Sequence, residues 1–439
     1  MRTNHELRGE AGVRKFTRLG VAVLVAAGAA CDFEVTNPGP TPDDFLDKPE
    51  AHQAIANGAA RLLYDGLNEV AYTTAAVVRE VFPAGSTSAF GISNRQQVGR
   101  LEYDDEHIEW TPHQRARYVA ESGFARFEAN VPTGLTGYRP AVEAALWAGY
   151  ANRLLGENWC EAVIDGGLIE PRTVFLTRAE QWFTRAMELA GTTASLANVA
   201  TAARAGRASV RVHLGNWEGA VADAAGVPTD FRFQAQYHAT QQTHFNRMFF
   251  AGASRPYRAI TVWNTFYDGY FTETGDPRTP WALLDGFPEG DASIPFLGGK
   301  VPFRQQRKYV NEADDINLSS GREMRLIEME AQLRGGDWQG AVDALNARRV
   351  ALELQPWPAS NETEAWTVFK RERGIELWLE GRRMGDLRRW KDSNTPGDLH
   401  PLEQAGNELS HLRADQTLCY AIPKSEREAN PNIPINPGT

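Results

Sequence analysis

Residues 214–226 read LGNWEGAVADAAG, and residues 334–349 read RGGDWQGAVDALNARR. In each, a run rich in Ala, Val, Leu and Arg reaches a glycine, Gly215 or Gly336. An Asn or Asp follows, and Trp-x-x-Ala-Val opens a second apolar run. Every part of this order has a helical use. Glycine adopts the left-handed turn that ends one helix, and Asn216 or Asp337 caps the next. The small Ala220 or Ala341 lets two helices approach closely. A third copy, Asn158-Trp159-x-x-Ala162-Val163, runs into Asp165-Gly166-Gly167, which stop a helix almost at once. That copy is either a divergent unit or a coincidence.

Outward from these hairpins the chain keeps a helical period. PEAHQAIANGAARLLYDGL (49–67) opens with Pro49 at a first-turn position and sets Ala51, Ile55, Ala59, Leu62 and Leu63 on one face. Similar patterns cover about 112–130, 139–156, 177–190, 195–214, 322–335, 338–352 and 363–380, and strand-like alternation is scarce. The predicted fold is all-α, a tetratricopeptide-like scaffold of helix pairs forming one domain over 49–439. Two loop-rich inserts interrupt it, at about 80–111 and 228–320. The second is dense in Pro, Gly and aromatic residues, and so many aromatics argue against disorder.

The N-terminal segment has a different character. Arg14, Lys15 and Arg18 precede an apolar run from Leu19 to Ala30, which ends at Cys31. As a helix the run reaches roughly 18 Å, short of the roughly 30 Å hydrocarbon core of a bilayer. It reads as a signal peptide over 1–30. Cleavage before Cys31 would make that residue an acylated N-terminus, although Gly28 stands where a lipoprotein signal usually has Leu. The Pro-rich 31–48 stretch would then be a tether. Cys160 and Cys419 remain as an even pair for an oxidising compartment, either bridged or as free thiols.

Composition excludes several function classes. The chain has 439 residues, 42% hydrophobic and 23% charged, with a formal charge of −10. It carries no basic tract, so nucleic acid and anionic membrane surfaces are poor partners, and contact with a membrane is expected through the lipid anchor alone. No Gly-x-Ser-x-Gly, P-loop or dinucleotide pattern occurs, and no cofactor is expected. His107, His113, His238 and His244 lack the spacing of helical metal ligation, and the loop at 392–398 lacks that of a calcium loop, so no metal site is expected.

Residues 372–391 read ERGIELWLEGRRMGDLRRWK. The helical spacing predicts Glu372, Glu376 and Glu380 on one face beside Arg373. Gly381 would end the helix and let Arg383 and Asp386 fold back. Two glutamates could serve as an acid–base pair, but catalytic carboxylates of glycoside hydrolysis flank a cleft from separate elements. A row on one helix among arginines reads as a structural charge network. No catalytic residue is assigned.

This stretch resembles the SusD/RagB family, through Glu372-Arg373-x-x-Glu376-Leu377-x-x-Glu380-Gly381-x-Arg383-x-x-Asp386-Leu387-x-Arg389-Trp390. Ile422-Pro423-x-x-Glu426 with Asn430-Pro431 and Asn436-Pro437 is a second match. Cys31 with Val35-Thr36-Asn37-Pro38 is a third. The resemblance implies a non-enzymatic outer-membrane lipoprotein at the cell surface. Its partner would be a TonB-dependent, SusC-like transporter, and its ligand an oligosaccharide or other nutrient. An exported α/α-toroid carbohydrate-active enzyme, or a helical scaffold without a small ligand, are the alternatives. No motif fixes the ligand contacts. Sugars want flat aromatic rings and polar side chains, which points to Trp263, Tyr267, Tyr270 and Trp281, with Asn94 and Arg95 from the first insert.

Overall fold

In the computed structural model, residues 42–85, 91–105 and 109–437 are described. The signal peptide, Cys31, most of the tether and His107 lie outside them. The chain divides into two units at Phe45 and Leu46. The second holds every element discussed below. No helix among the described residues is long and apolar enough to cross a membrane.

The second unit is a stack of sequential helices. These are α1 (Pro49–Val77), α2 (Trp110–Asn130), α3 (Arg139–Asn158), α4 (Thr173–Ala190), α5 (Ala197–Leu214) and α6 (Trp217–Ala225). After the long excursion come α7 (Phe266–Thr274), within it, and α8 (Gly321–Arg334), α9 (Trp338–Val350), α10 (Glu362–Glu376), α11 (Arg383–Asp392) and α12 (Lys424–Ala429). Each helix from α1 to α6 packs on the next, α6 packs on α8, and α8 to α10 continue in order. The chain thus leaves the stack after α6 and rejoins it at the same place. Residues 232–235 and 316–320 pair antiparallel, Arg232 opposite Ser320 and Ala235 opposite Ile316, and tie the two ends of the excursion together.

The two quoted hairpins are formed as their residues require. Gly215 and Gly336 have φ of 76° and 85°, which a side chain rarely tolerates. The Asn216 side chain accepts from the Gly219 amide and Asp337 from the Gly340 amide, both at 3.0 Å. Between α3 and α5 the stack closes around one ring. A Cβ added at Gly206 would come within 2.4 Å of Phe183, so only glycine lets that phenyl lie between the helices.

The third copy does not form a hairpin. Asn158 ends α3, and residues 161–162 turn into a short ribbon with 170–171. Trp159 is fully buried, stacked on Tyr420 with centroids 5.1 Å apart. This tryptophan docks the C-terminal segment rather than a second helix. A disulfide between Cys160 and Cys419 fastens the same junction.

The expected helix over 363–380 is also shorter. α10 stops at Glu376, and Leu379 takes φ of 61°. The bend buries Trp378, whose indole N–H donates to the Glu80 carbonyl at 3.0 Å, while the Glu80 carboxylate accepts from the Leu379 amide. Glu380 therefore does not share a helix face with Glu372 and Glu376. Glu372 instead accepts from Arg278 at 2.6 Å and Arg349 at 3.0 Å, while Glu380 takes Lys308 and Asn317, both at 2.8 Å. Asp386 joins Arg373 at 2.7 Å to Arg389 at 2.9 Å, and Arg383 binds Glu403 at 2.8 Å. Arg382 and Arg153 share Glu157 and Glu323. Burial alone would push the Asp386 carboxyl up, but Arg373 and Arg389 override it and hold it at about 2.

Candidate functional site

The wall of the candidate site begins at the end of α1. Arg79, fully buried, donates to the carbonyls of Ala76, Gln97 and Ser410 at 2.7–2.9 Å. It thereby holds the first insert and the 407–412 loop against the helix stack. Its guanidinium lies 4.8 Å from the Phe82 ring, which meets Trp263 edge-on at 5.3 Å. Phe82–Pro83 pairs antiparallel with Ile260–Thr261, which fixes Trp263 two residues further on. Asn264 follows with φ of 55° and donates to the Leu409 carbonyl.

Helix α7 supplies the floor. Phe266 and Tyr270 stack on each other at 5.2 Å, and Tyr270 stacks on Trp357 at 5.9 Å. The Tyr270 hydroxyl donates to Asp276 at 2.5 Å and accepts from Arg349 at 2.9 Å. Burial and the Asp276 carboxylate push this phenol far above its ordinary pKa, so it stays neutral and rigidly oriented. Trp357 sits between Pro356 and Pro358, its amide donating to Asn346 and its indole N–H to Glu372.

These elements enclose a cavity of about 510 Å³, lined by Trp263, Asn264, Phe266, Tyr270, Glu273, Trp357, Arg371 and His400, among others. Trp263 and Trp357 are both half-buried, and the Arg349 guanidinium lies 4.3 Å over the Trp357 ring. Arg371 has no hydrogen bond or ion pair among the described residues, and its Nε is buried without a partner. Burial holds His400 below the ordinary imidazole range, while its Nδ1 accepts from the Leu402 amide at 3.3 Å. The ring is therefore neutral near pH 7 and presents Nε2–H. Two aromatic walls, an unsatisfied guanidinium and a neutral donor suit a ligand with apolar faces and many hydroxyls.

Not every aromatic residue singled out from the sequence lines this cavity. Trp263 and Tyr270 do. Tyr267 does not: it is 1% exposed and stacked on Trp378 at 5.2 Å, so it belongs to the core. Trp281 donates from its indole to the Asp268 carbonyl and lies under the Arg304 guanidinium, 4.9 Å away, also outside the cavity. Asn94 and Arg95 are exposed on a turn elsewhere, where Arg95 pairs with Asp104. Trp357, Arg371 and His400 were missed. The signal was available for Trp357 alone, since a tryptophan between two prolines is held extended and away from any helix.

A second groove, about 630 Å³, lies along α4 beside Phe124 of α2. Two of its polar groups are already committed, since Arg178 and the Trp182 indole both donate to Glu121. No group of His, Cys, Asp or Glu among the described residues is placed to hold a metal ion.

Residues 305–438 match the model of the SusD family. A sequence search of curated proteins finds no significant match. Solved structures similar in fold include a laminarin-binding SusD-like protein, 16% identical, with 88% of this chain and 99% of that one covered and a TM-score of 0.64. A SusD-like carbohydrate-binding protein from Bacteroides vulgatus is 14% identical over 88% of this chain and 97% of that one, with a TM-score of 0.60. A SusD/RagB family protein from Bacteroides thetaiotaomicron is 12% identical over 85% and 94%, also at 0.60. The C-terminal third thus matches the SusD family model, and the helix stack shares the fold of these SusD-like structures.

Proposed function

We propose that this protein binds an oligosaccharide in the cavity of Trp263, Tyr270, Trp357 and Arg371 and releases it unchanged. The observation that carries this reading is the pairing of two half-buried tryptophans with the Arg371 guanidinium, which lies 6.0 Å from the Trp357 ring and makes no hydrogen bond or ion pair among the described residues. A pyranose ring placed between the indoles covers their apolar faces, and Arg371 and His400 then hydrogen-bond its hydroxyls. Solved relatives of the same fold named for laminarin and carbohydrate binding support the ligand class. Binding without turnover fits the cavity's acidic groups: Asp268 is taken by Arg304, which leaves Glu273 at the rim.

Delivery to a TonB-dependent, SusC-like transporter is the role that the match to the SusD family supports. The location that goes with it is the outer-membrane surface, with a lipid anchor at Cys31. The purified mature chain should retain glycans on an array and yield no new reducing ends on prolonged incubation. Chain cleavage would make it an enzyme, and the absence of any glycan binding would favour a protein scaffold. Affinity purification from outer-membrane extract should recover a large TonB-dependent barrel, and its absence would contradict the delivery role.

A further inference from the structure

Where the 232–235 and 316–320 strands close the neck of the excursion, they border a cavity of about 930 Å³. Most charges on its wall are spent. Arg278 binds Asp276, Glu372 and Glu376 at 2.6–2.7 Å, and Arg348 reaches Glu376 at 3.3 Å. Lys308 binds Glu380. Asp314 accepts from the Asn311 amide, and Asp315 from the Tyr237 amide, both at 3.1 Å. Arg322 is different. It stands in the first turn of α8, half-buried, with no hydrogen bond or ion pair among the described residues. Arg232, exposed on the adjoining strand, is likewise unpaired, and the opposing free carboxylate is Asp230.

The surroundings of Arg322 make it an unfilled anion site. Burial and the like charges of Arg348, Arg278 and Arg232 depress its pKa, and the nearby Glu376 is already shared by Arg278 and Arg348. A guanidinium held among other cations gains most from an added anion, and its planar fork suits a two-oxygen group. A second cavity of about 440 Å³, along α8 and α9, shares Thr229, Arg322, Arg348 and Glu376 with the first. Arg322 therefore borders open space on two sides. A bare ion would leave most of 930 Å³ empty, whereas Thr229, Gln234 and Asn317 offer partners for hydroxyls.

We infer that this cavity is a second ligand site, separate from the aromatic one, which takes an acidic saccharide with its carboxylate or sulfate group against Arg322 and Arg232. The saccharide nature of the carrier rests on the proposed function. The anion site rests on the arginines alone.

Calorimetry at low salt tests the inference with three probes: tetragalacturonate, a sulfated galactotetraose and neutral galactotetraose. At least one acidic probe should bind the wild-type chain at least tenfold more tightly than the neutral one, and added salt should erode that advantage. Which acidic probe wins identifies carboxylate or sulfate as the recognised group. Arg322→Gln should abolish the advantage, and Arg232→Gln, on an exposed side chain, should reduce it without affecting the melting temperature. The inference is overturned if neither acidic probe outbinds the neutral one, or if both arginine variants keep the full advantage. It is equally overturned if Trp263→Ala, rather than Arg322→Gln, removes it. Failure of the proposed function would show separately, as no glycan binding that depends on Trp263.

Discussion

The region around α8, α10 and α11 and the region around α7 are both rich in charge and aromatic rings, yet they use them in opposite ways. In the first, arginines are consumed: Arg373 and Arg389 by Asp386, Arg389 again by Glu330, Arg382 by Glu157 and Glu323. In the second, Trp263 and Trp357 stay half-buried at a cavity, and Arg371, which reaches it from the outer side of α10, makes no hydrogen bond or ion pair among the described residues. Most of the residues that make the sequence recognisable are thus already paired with one another, although Arg373 keeps a buried Nη1 without a partner. A buried ion pair constrains its neighbours and tolerates no loss of one partner, whereas a ligand wall needs unspent valence.

The contrast is broken most severely at Asp386. Removing it with Asp386→Ala leaves Arg373 and Arg389 buried around an empty position, and should cost about 3–5 kcal/mol in urea unfolding. A loss below about 1 kcal/mol would mean that the network is incidental. The carboxylate's stabilising charge is present above the ordinary pKa near 4. It should be lost as pH falls toward about 2, so acid unfolding should begin at higher pH in Asp386→Asn than in the wild type. Next comes the C-terminal junction. Cys160→Ser should cost about 2–5 kcal/mol, because the bridge closes a loop of 259 residues, and reductant should lower the wild-type melting temperature but not the variant's.

A buried acid of the opposite sign sharpens the comparison. Glu109 accepts from Thr73 at 2.7 Å, while its other oxygen is buried without a partner. Burial and the neighbouring Glu69 raise its pKa to about 7. The folded state then holds a proton that the unfolded state has released, so stability falls as pH rises from about 4.5 to 7. Glu109→Gln should therefore gain on the order of 3 kcal/mol at pH 8 and little at pH 4. An equal effect at both pH values would contradict the assignment. The smallest stability change belongs to the cavity: Trp263→Ala exposes Phe82 and should cost about 1–2 kcal/mol.

Helix hairpins were legible because their signals are local. A glycine, a capping side chain three residues from its amide and an alanine stripe need no knowledge of the rest of the chain. The end of α10 was not, because it depends on Glu80, nearly three hundred residues away, accepting from Leu379. Trp159 carried the repeat's pattern, but its partner Tyr420 is remote as well. The aromatic excursion supplies part of the candidate cavity's wall, and Trp263 and Tyr270 meet there. Tyr267 and Trp281 look the same in sequence, since density of rings does not say which face the core. Arg371 and His400 come from segments whose only visible role was scaffolding.

The most direct test is isothermal calorimetry of an oligosaccharide retained on the glycan array against the wild type and Trp263→Ala, with thermal melts of both. The wild type should bind, and the variant should lose at least tenfold in affinity while its melt shifts by only a few degrees. Equal affinities would contradict it, as would an affinity loss that appears only with unfolding.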